Sequence, residues 1–229
     1  EGRFARPDPE SPALGAALQK IFDRLYRAWG RQHWWPGETP FEVMVGAILT
    51  QNTNWANVEK AIANLKREGM LEPQALHYAP LERIAELIRP SGYYNVKARR
   101  LKKFLEFLFG EAGGSEKRLR AAPTRELREK LLAVNGLGPE TVDSILLYAL
   151  DRPVFVVDAY TRRVLRRHGL IGGDEDYEQL KRLVELHLPH NRGLYSEYHA
   201  LLVRAGKRHC RPKPRCGGCP LEGLRHDPR

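Results

Sequence analysis

The sequence predicts an all-α protein, and three observations predict it. Apolar residues recur three or four apart through most of the chain, the spacing that places them on one face of a helix. The one strand-like run, Val154–Val157, is short and has no partner run. The stretch from Leu132 to Arg163 reads as helix, glycine turn, helix, and then a brief apolar segment that ends at Asp158.

The elements follow in order. Ala16 to Trp29 carries Leu18, Ile21, Phe22, Leu25 and Trp29 at helical spacing. Pro40 to Leu49 begins another helix, with Thr39 as its N-cap. Trp55 to Arg67 continues with Val58, Ile62 and Leu65, and Leu81 to Ile88 and Val96 to Phe109 follow. Thr124 to Ala133, with Thr124 as a cap, leads into the glycine turn. Ala159 to His168, Tyr177 to Leu188 and Tyr195 to Ala205 complete the set. The opening, EGRFARPDPESPALG, is polar and proline-rich and reads as a loose arm.

A chain of 229 residues, 42% hydrophobic, has enough apolar surface for one sizeable core or for two lobes. A net charge of +10 and a pI near 9.7 fit a protein that binds a polyanion. No apolar run reaches membrane-spanning length, and no signal-peptide pattern opens the chain. The three cysteines crowd into Cys210 to Cys219, which argues for metal ligation in a reducing compartment rather than for disulfides.

The glycine turn carries chemistry. Gly136 and Gly138 let the backbone turn tightly enough for its amides to face an anion, and Pro139 opens the second helix with its positive end toward the same place. Such a turn holds a phosphate of a nucleic-acid backbone without reading sequence. A carboxylate delivered beside it repels the backbone. It makes sense where the target is a sugar that develops positive charge.

The G-L-G turn followed by V-V-D resembles the helix-hairpin-helix DNA glycosylases of the endonuclease III superfamily. The likeness runs from about Leu25 to Leu224, in the order ILTQNT, hairpin, aspartate, cysteine cluster. It implies two helical lobes with a DNA cleft between them: a terminal lobe from residues 1–38 and 151–229, and a central lobe of residues 39–150. It implies that Asp158 is the catalytic aspartate, stabilising the sugar cation and helping to orient or deprotonate water. The alternative for Asp158 is a helix N-cap, and both can hold at once. Gly136 and Gly138 are then DNA-binding, and nearby carbonyls are a site for a monovalent cation. In the family's bifunctional members a lysine stands two residues after the second hairpin glycine; here that residue is Glu140, which cannot form a Schiff base. Glu140 is therefore a candidate substrate contact or a plain first-turn residue, and the enzyme is expected to use water, with lyase activity weak or absent.

Within the superfamily the chain looks closest to the 3-methyladenine branch. The segment Trp34-Trp35-Pro36 and the aromatic Trp55, directly after Gln51-Asn52-Thr53-Asn54, resemble that branch's base-pocket residues. Trp35, Pro36 and Trp55 are expected to line the pocket and to clamp an electron-poor alkylated purine, whereas Trp34 reads as core. Gln51 resembles the side chain that fills the space of a flipped base; its alternative is a helix-end residue bonded to a carbonyl. Lys207 resembles a pocket lysine that can be carbamylated, or else contacts phosphate. Cys210, Cys216 and Cys219 resemble the family's [4Fe–4S] loop, but the fourth cysteine would fall at Arg225. His226 next to it is the candidate fourth ligand, with a zinc site or an empty loop as alternatives.

The resulting expectation is a monofunctional glycosylase, monomeric, acting on double-stranded DNA that holds a damaged base, in the cytoplasm at the nucleoid. The alternatives are a mismatch uracil or thymine glycosylase, an endonuclease III-like lyase, and a non-catalytic DNA-binding module.

Overall fold

The computed structural model describes residues 8–35 and 37–227. The expected loose arm, residues 1–15, lies outside the described residues over 1–7, but its last part is ordered: Ser11 caps the first helix and Pro12–Gly15 form the first turn of that helix. Pro36, expected in the pocket, also lies outside the described residues. The described residues form helices α1 (Pro12–Trp29), α2 (Pro40–Leu49), α3 (Trp55–Arg67), α4 (Pro73–Tyr78), α5 (Leu81–Leu87), α6 (Tyr94–Ala112), α7 (Glu116–Leu119), α8 (Thr124–Leu132), α9 (Pro139–Ser144), α10 (Ala159–Arg167), α11 (Tyr177–His187) and α12 (Arg192–Arg208). They contain no β-strand, and Val154–Val157 is buried extended chain.

The helix starts follow local chemistry. Thr39 accepts from the Glu42 amide at 3.1 Å and Asn54 from the Asn57 amide at 3.1 Å, so each satisfies one of the donors that a helix start leaves over. Asp176 and Gln179 form a reciprocal capping box at α11. Thr124 does not cap α8: Pro123 takes that place with an extended backbone, its carbonyl accepts from Leu127, and Thr124 is the first helical residue. Helices α4 and α7 span six and four residues, too few for a periodic pattern.

The chain divides into two compact units. One is built from both ends of the chain, up to Trp34 and from Pro153 onward. Its core sets the α1 stripe of Leu14, Leu18, Ile21 and Leu25 with Phe155, Tyr195, Tyr198 and Leu201. The Tyr198 hydroxyl donates to the Leu18 carbonyl at 2.8 Å, which allows a polar tip to be buried. Helices α10 and α12 approach closely at Gly206, where the Tyr160 ring fills the space a Cβ would need.

The other unit, Trp35–Arg152, is built around α2, whose residues from Phe41 to Leu49 are all buried. A helix apolar on every side needs neighbours on every side. Its one charged residue in that run, Glu42, pairs with Lys66 at 3.0 Å. The buried Lys97 donates to the Leu49 carbonyl at 2.8 Å and to the Ser91 carbonyl at 2.6 Å, tying the end of α2 to the turn before α6.

Candidate active site

The glycine turn joins α8 to α9 in the central unit. Gly136 has φ +91°, a conformation that glycine adopts without strain. A Cβ there would also lie 2.5 Å from the Arg100 Cγ, so the position is closed to side chains twice over. Gly138 differs: its backbone is extended at φ −86°, and a Cβ would meet nothing. Only the first glycine is required by conformation. Helix α9 continues from Ser144 into a π-helical turn, Ile145–Ala149, and this whole stretch is buried. Glu140 is exposed in the first turn of α9.

Gln51 is bound into this turn. Its amide nitrogen donates to the Gly136 carbonyl at 3.1 Å and to Thr141 Oγ1 at 2.9 Å, and its oxygen accepts from Arg100. Without DNA, Gln51 thus makes the bond to a carbonyl that its helix-end alternative describes, and the side chain braces the hairpin. An exposed aromatic that sequence reasoning did not single out lies on the loop before α6. Tyr93 is 72% exposed and has φ +45°. A bulky residue in the left-handed region is strained, and the turn that positions it is held through Ser91 by Lys97.

Trp35 and Trp55 do come together in the same unit, but not as a clamp. Their ring centroids are 5.1 Å apart with planes at 84°, edge to face and in mutual contact. No base fits between them. With Tyr148, whose ring lies 5.2 Å from Trp35, they make one aromatic wall laid against Gly46. A Cβ at Gly46 would sit 3.5 Å from Trp35 Nε1 and from the Trp55 ring. The buried Trp55 indole N–H has no hydrogen-bond partner among the described residues.

Asp158 is in the terminal unit, at the end of the buried run Val154–Val157. It caps α10: its Oδ1 accepts from the Thr161 amide at 2.7 Å. Its Oδ2 meets His199 Nε2 at 3.3 Å. Burial alone would push the carboxyl up, but the His199 imidazole and the Thr161 amide outweigh burial and hold it below the ordinary carboxylate value. Asp158 is thus an oriented anion across the neutral range. Sequence reasoning missed His199, which lies inside an ordinary helical pattern. In the same unit Lys207 is exposed, with its ammonium 5.7 Å from the Trp34 ring centroid, a cation–π approach that gives Trp34 a surface partner.

Cys210, Cys216 and Cys219, with His168, His209 and His226, line a cavity of about 30 Å³. The donors suit a thiophilic metal, and each of the three histidines sets Nδ1 against a backbone carbonyl at 2.9–3.1 Å, the orientation that leaves Nε2 for a ligand. They do not make a four-cysteine set, because Arg225 stands in the fourth place. Among the described residues no three His, Cys, Asp or Glu side chains converge on one point at ligating distance. The loop has support of its own: the buried Arg167 donates to Cys210 Sγ at 3.3 Å, to the Arg211 carbonyl at 2.6 Å and to the Pro212 carbonyl at 2.9 Å.

A hairpin turn, an oriented aspartate and a basic helical chain define a DNA-repair glycosylase. The chain matches the HhH-GPD superfamily of base excision DNA repair proteins over residues 45–190, and it belongs to that family. It is 48% identical over 206 residues to a putative DNA repair glycosylase of Methanocaldococcus jannaschii, covering 90% of this chain and 94% of that protein. It is 31% identical to Endonuclease III of Thermotoga maritima over 210 residues, 90% of each. Among solved structures, a 3-methyladenine DNA glycosylase of H. pylori, bound to 1,N6-ethenoadenine, is similar with a TM-score of 0.72 and 29% identity, over 85% of this chain and 97% of that one. The protein is a DNA glycosylase of base excision repair, and its partner is DNA. None of the described helices is long and apolar enough to cross a membrane.

Proposed function

We propose that this glycosylase is monofunctional and excises alkylated purines. The observation that carries the reading is the aromatic wall of Trp35, Trp55 and Tyr148. An alkylated purine is cationic, and it gains stacking and cation–π energy on such a surface without a dense set of hydrogen bonds. Its glycosidic bond is already weak, so little acid catalysis is needed. The bond from C1′ to nitrogen breaks with its electron pair leaving on the base. Asp158 opposes the charge that develops on the sugar, and water adds at C1′, its proton passing to the Asp158 carboxylate and from there to solvent. Glu140 has no amine to attack C1′, which favours water over a lysine nucleophile. The 29% identity to a 3-methyladenine glycosylase supports the same substrate class.

The turn at Gly136 and Gly138 serves in this reading as the phosphate contact, with a monovalent cation at its carbonyls, and Tyr93 as an aromatic that stacks on DNA. Lys207 is assigned to the neighbourhood of the base or its phosphate, and Pro36 to the pocket edge. The cysteine loop is assigned a structural metal centre held by Cys210, Cys216, Cys219 and His226, a [4Fe–4S] cluster first and zinc second. Iron and zinc analysis of the purified protein tests it, with visible absorbance lost on Cys216→Ser expected for a cluster; stoichiometric zinc in a colourless protein, or no metal, overturns the cluster.

One panel of duplexes tests the substrate. Release of 3-methyladenine from DNA treated with dimethyl sulfate, faster than release from duplexes holding uracil, an oxidised pyrimidine or a T·G mismatch, is the expected result. Preference for uracil or thymine would replace the reading with a mismatch glycosylase.

A further inference from the structure

We infer that His199 is the positioning residue of Asp158, an assignment that rests on the proposed role of that carboxylate.

The two oxygens of Asp158 are engaged from two directions. Oδ1 takes the Thr161 amide at 2.7 Å, a bond supplied by the helix that Asp158 itself caps. Oδ2 faces the His199 Nε2 at 3.3 Å, from the middle of α12. One donor fixes where a carboxylate sits but leaves it free to swing about that bond. A second polar contact on the other oxygen, carried by a different helix, restrains the plane. Both side chains are nearly closed to water, at 5% and 11% exposure, so the contact is little screened.

The pair is not an ordinary core feature. A helix N-cap needs one bond, and Thr161 supplies it. A histidine facing that cap from a separate helix adds nothing to capping, yet it is the partner that contributes most to holding the carboxyl in its charged form. At 3.3 Å the contact is looser than an aligned charge-assisted bond, which is shorter by several tenths of an ångström. Catalytic contacts are often long outside the Michaelis complex and tighten within it. The helices that bring the pair together pack closely: α10 meets α12 with no room for a side chain at Gly206, so neither can drift from the other. His199 thus aims the negative charge of Asp158, and its charge opposes the upward push that burial puts on the carboxyl.

The test compares whole-protein variants in single-turnover base release, on whichever duplex of the panel the wild type processes fastest, together with binding of an uncleavable duplex and thermal melting. His199→Phe keeps a buried ring but no donor. Its base release is expected to fall about 10- to 100-fold, the size expected when a hydrogen bond to a charged group is lost, with duplex affinity and melting held. His199→Gln returns an N–H at similar reach and is expected to restore most of the rate. A packing role predicts the reverse order, with Phe active and Gln impaired, and that order overturns the assignment. Asp158→Asn separates the two levels. If it retains base release, the role of Asp158 itself is wrong; if it abolishes release while His199→Phe is normal, only the positioning is wrong. Should His199→Phe fail to fold, nitrogen NMR of the wild type supplies the answer. Nε2 of His199 is expected to carry a proton whose signal moves on Asp158→Asn; a bare Nε2 overturns the assignment.

Discussion

Gln51 holds the Gly136 carbonyl at 3.1 Å and, with the same amide group, Thr141 Oγ1 at 2.9 Å, so the end of one helix is bonded to the glycine turn. Arg100 completes the arrangement: its guanidinium donates to Gln51 Oε1 while its alkyl chain covers Gly136. A side chain with all its polar atoms engaged cannot enter a duplex without first releasing the hairpin.

Gln51→Ala therefore acts on the turn. It leaves a half-buried carbonyl, a hydroxyl and an arginine short of partners, a loss of about 1–3 kcal/mol in stability. Melting is expected to fall accordingly, and affinity for undamaged duplex to weaken with it. Unchanged melting with impaired base release alone would mean that Gln51 acts as the filler of the flipped base and not as the brace of the hairpin.

What was legible in the sequence, and what was not, divides along one physical line. The helix starts at Thr39 and Asn54, the turn at Gly136 and the position of Asp158 depend on chemistry within a few residues, and periodicity and capping expose them. His199 reaches Asp158 from a later helix, and its own neighbourhood reads as ordinary helix face. Trp35 and Trp55 meet edge to face where both pack at Gly46, and Trp35 also meets Tyr148 from far along the chain; such contacts between separate parts of the chain leave no local pattern, so the pair could be named but not its geometry. The strain at Tyr93 follows from a turn tied down by Lys97, again a contact between separate elements.

Lys97 gives the protein a stability that depends on pH in a stated direction. Burial, with the Arg100 charge next in weight, pushes its ammonium down to about 8 from 10.5. Between these values the unfolded chain keeps a proton that the native state has released. Native stability from this group therefore rises with pH from about 8 to 10.5, and below 8 the penalty of the buried charge is present in full. Lys97→Met removes the effect. The stability advantage of the wild type over that variant is expected to grow across this window by on the order of 2–3 kcal/mol. Urea unfolding of both proteins at several pH values measures it, and a difference that stays flat would show that the lysine is solvated.

Glu140 stands exposed in the first turn of α9, where an amine would be needed for lyase chemistry. Borohydride is expected to trap no covalent complex of the wild type with DNA containing an abasic site, because a carboxylate forms no imine. Efficient trapping would mean that another lysine reaches C1′.

The aromatic wall permits a sharper test, because one residue can be changed in two ways. Trp55→Phe keeps a ring against Trp35 and removes an indole N–H that is buried without a partner. Stability should hold or rise, since an unsatisfied buried donor costs about 1–3 kcal/mol. Excision of an alkylated purine should fall only modestly, because a smaller π-face still stacks. Trp55→Ala removes the face. Stacking worth about 1–3 kcal/mol per base is then lost, which corresponds to roughly a tenfold to hundredfold fall in excision efficiency. The half-exposed position limits the damage to the fold, whereas a fully buried tryptophan cut to alanine costs about 3–5 kcal/mol. Melting measured beside excision kinetics separates the cases. If Trp55→Ala melts far below the wild type and every substrate of the panel suffers alike, the ring is core and the wall is not the base platform. If melting is little changed and the loss falls on alkylated purines, with Trp55→Phe between the two, the ring meets the base.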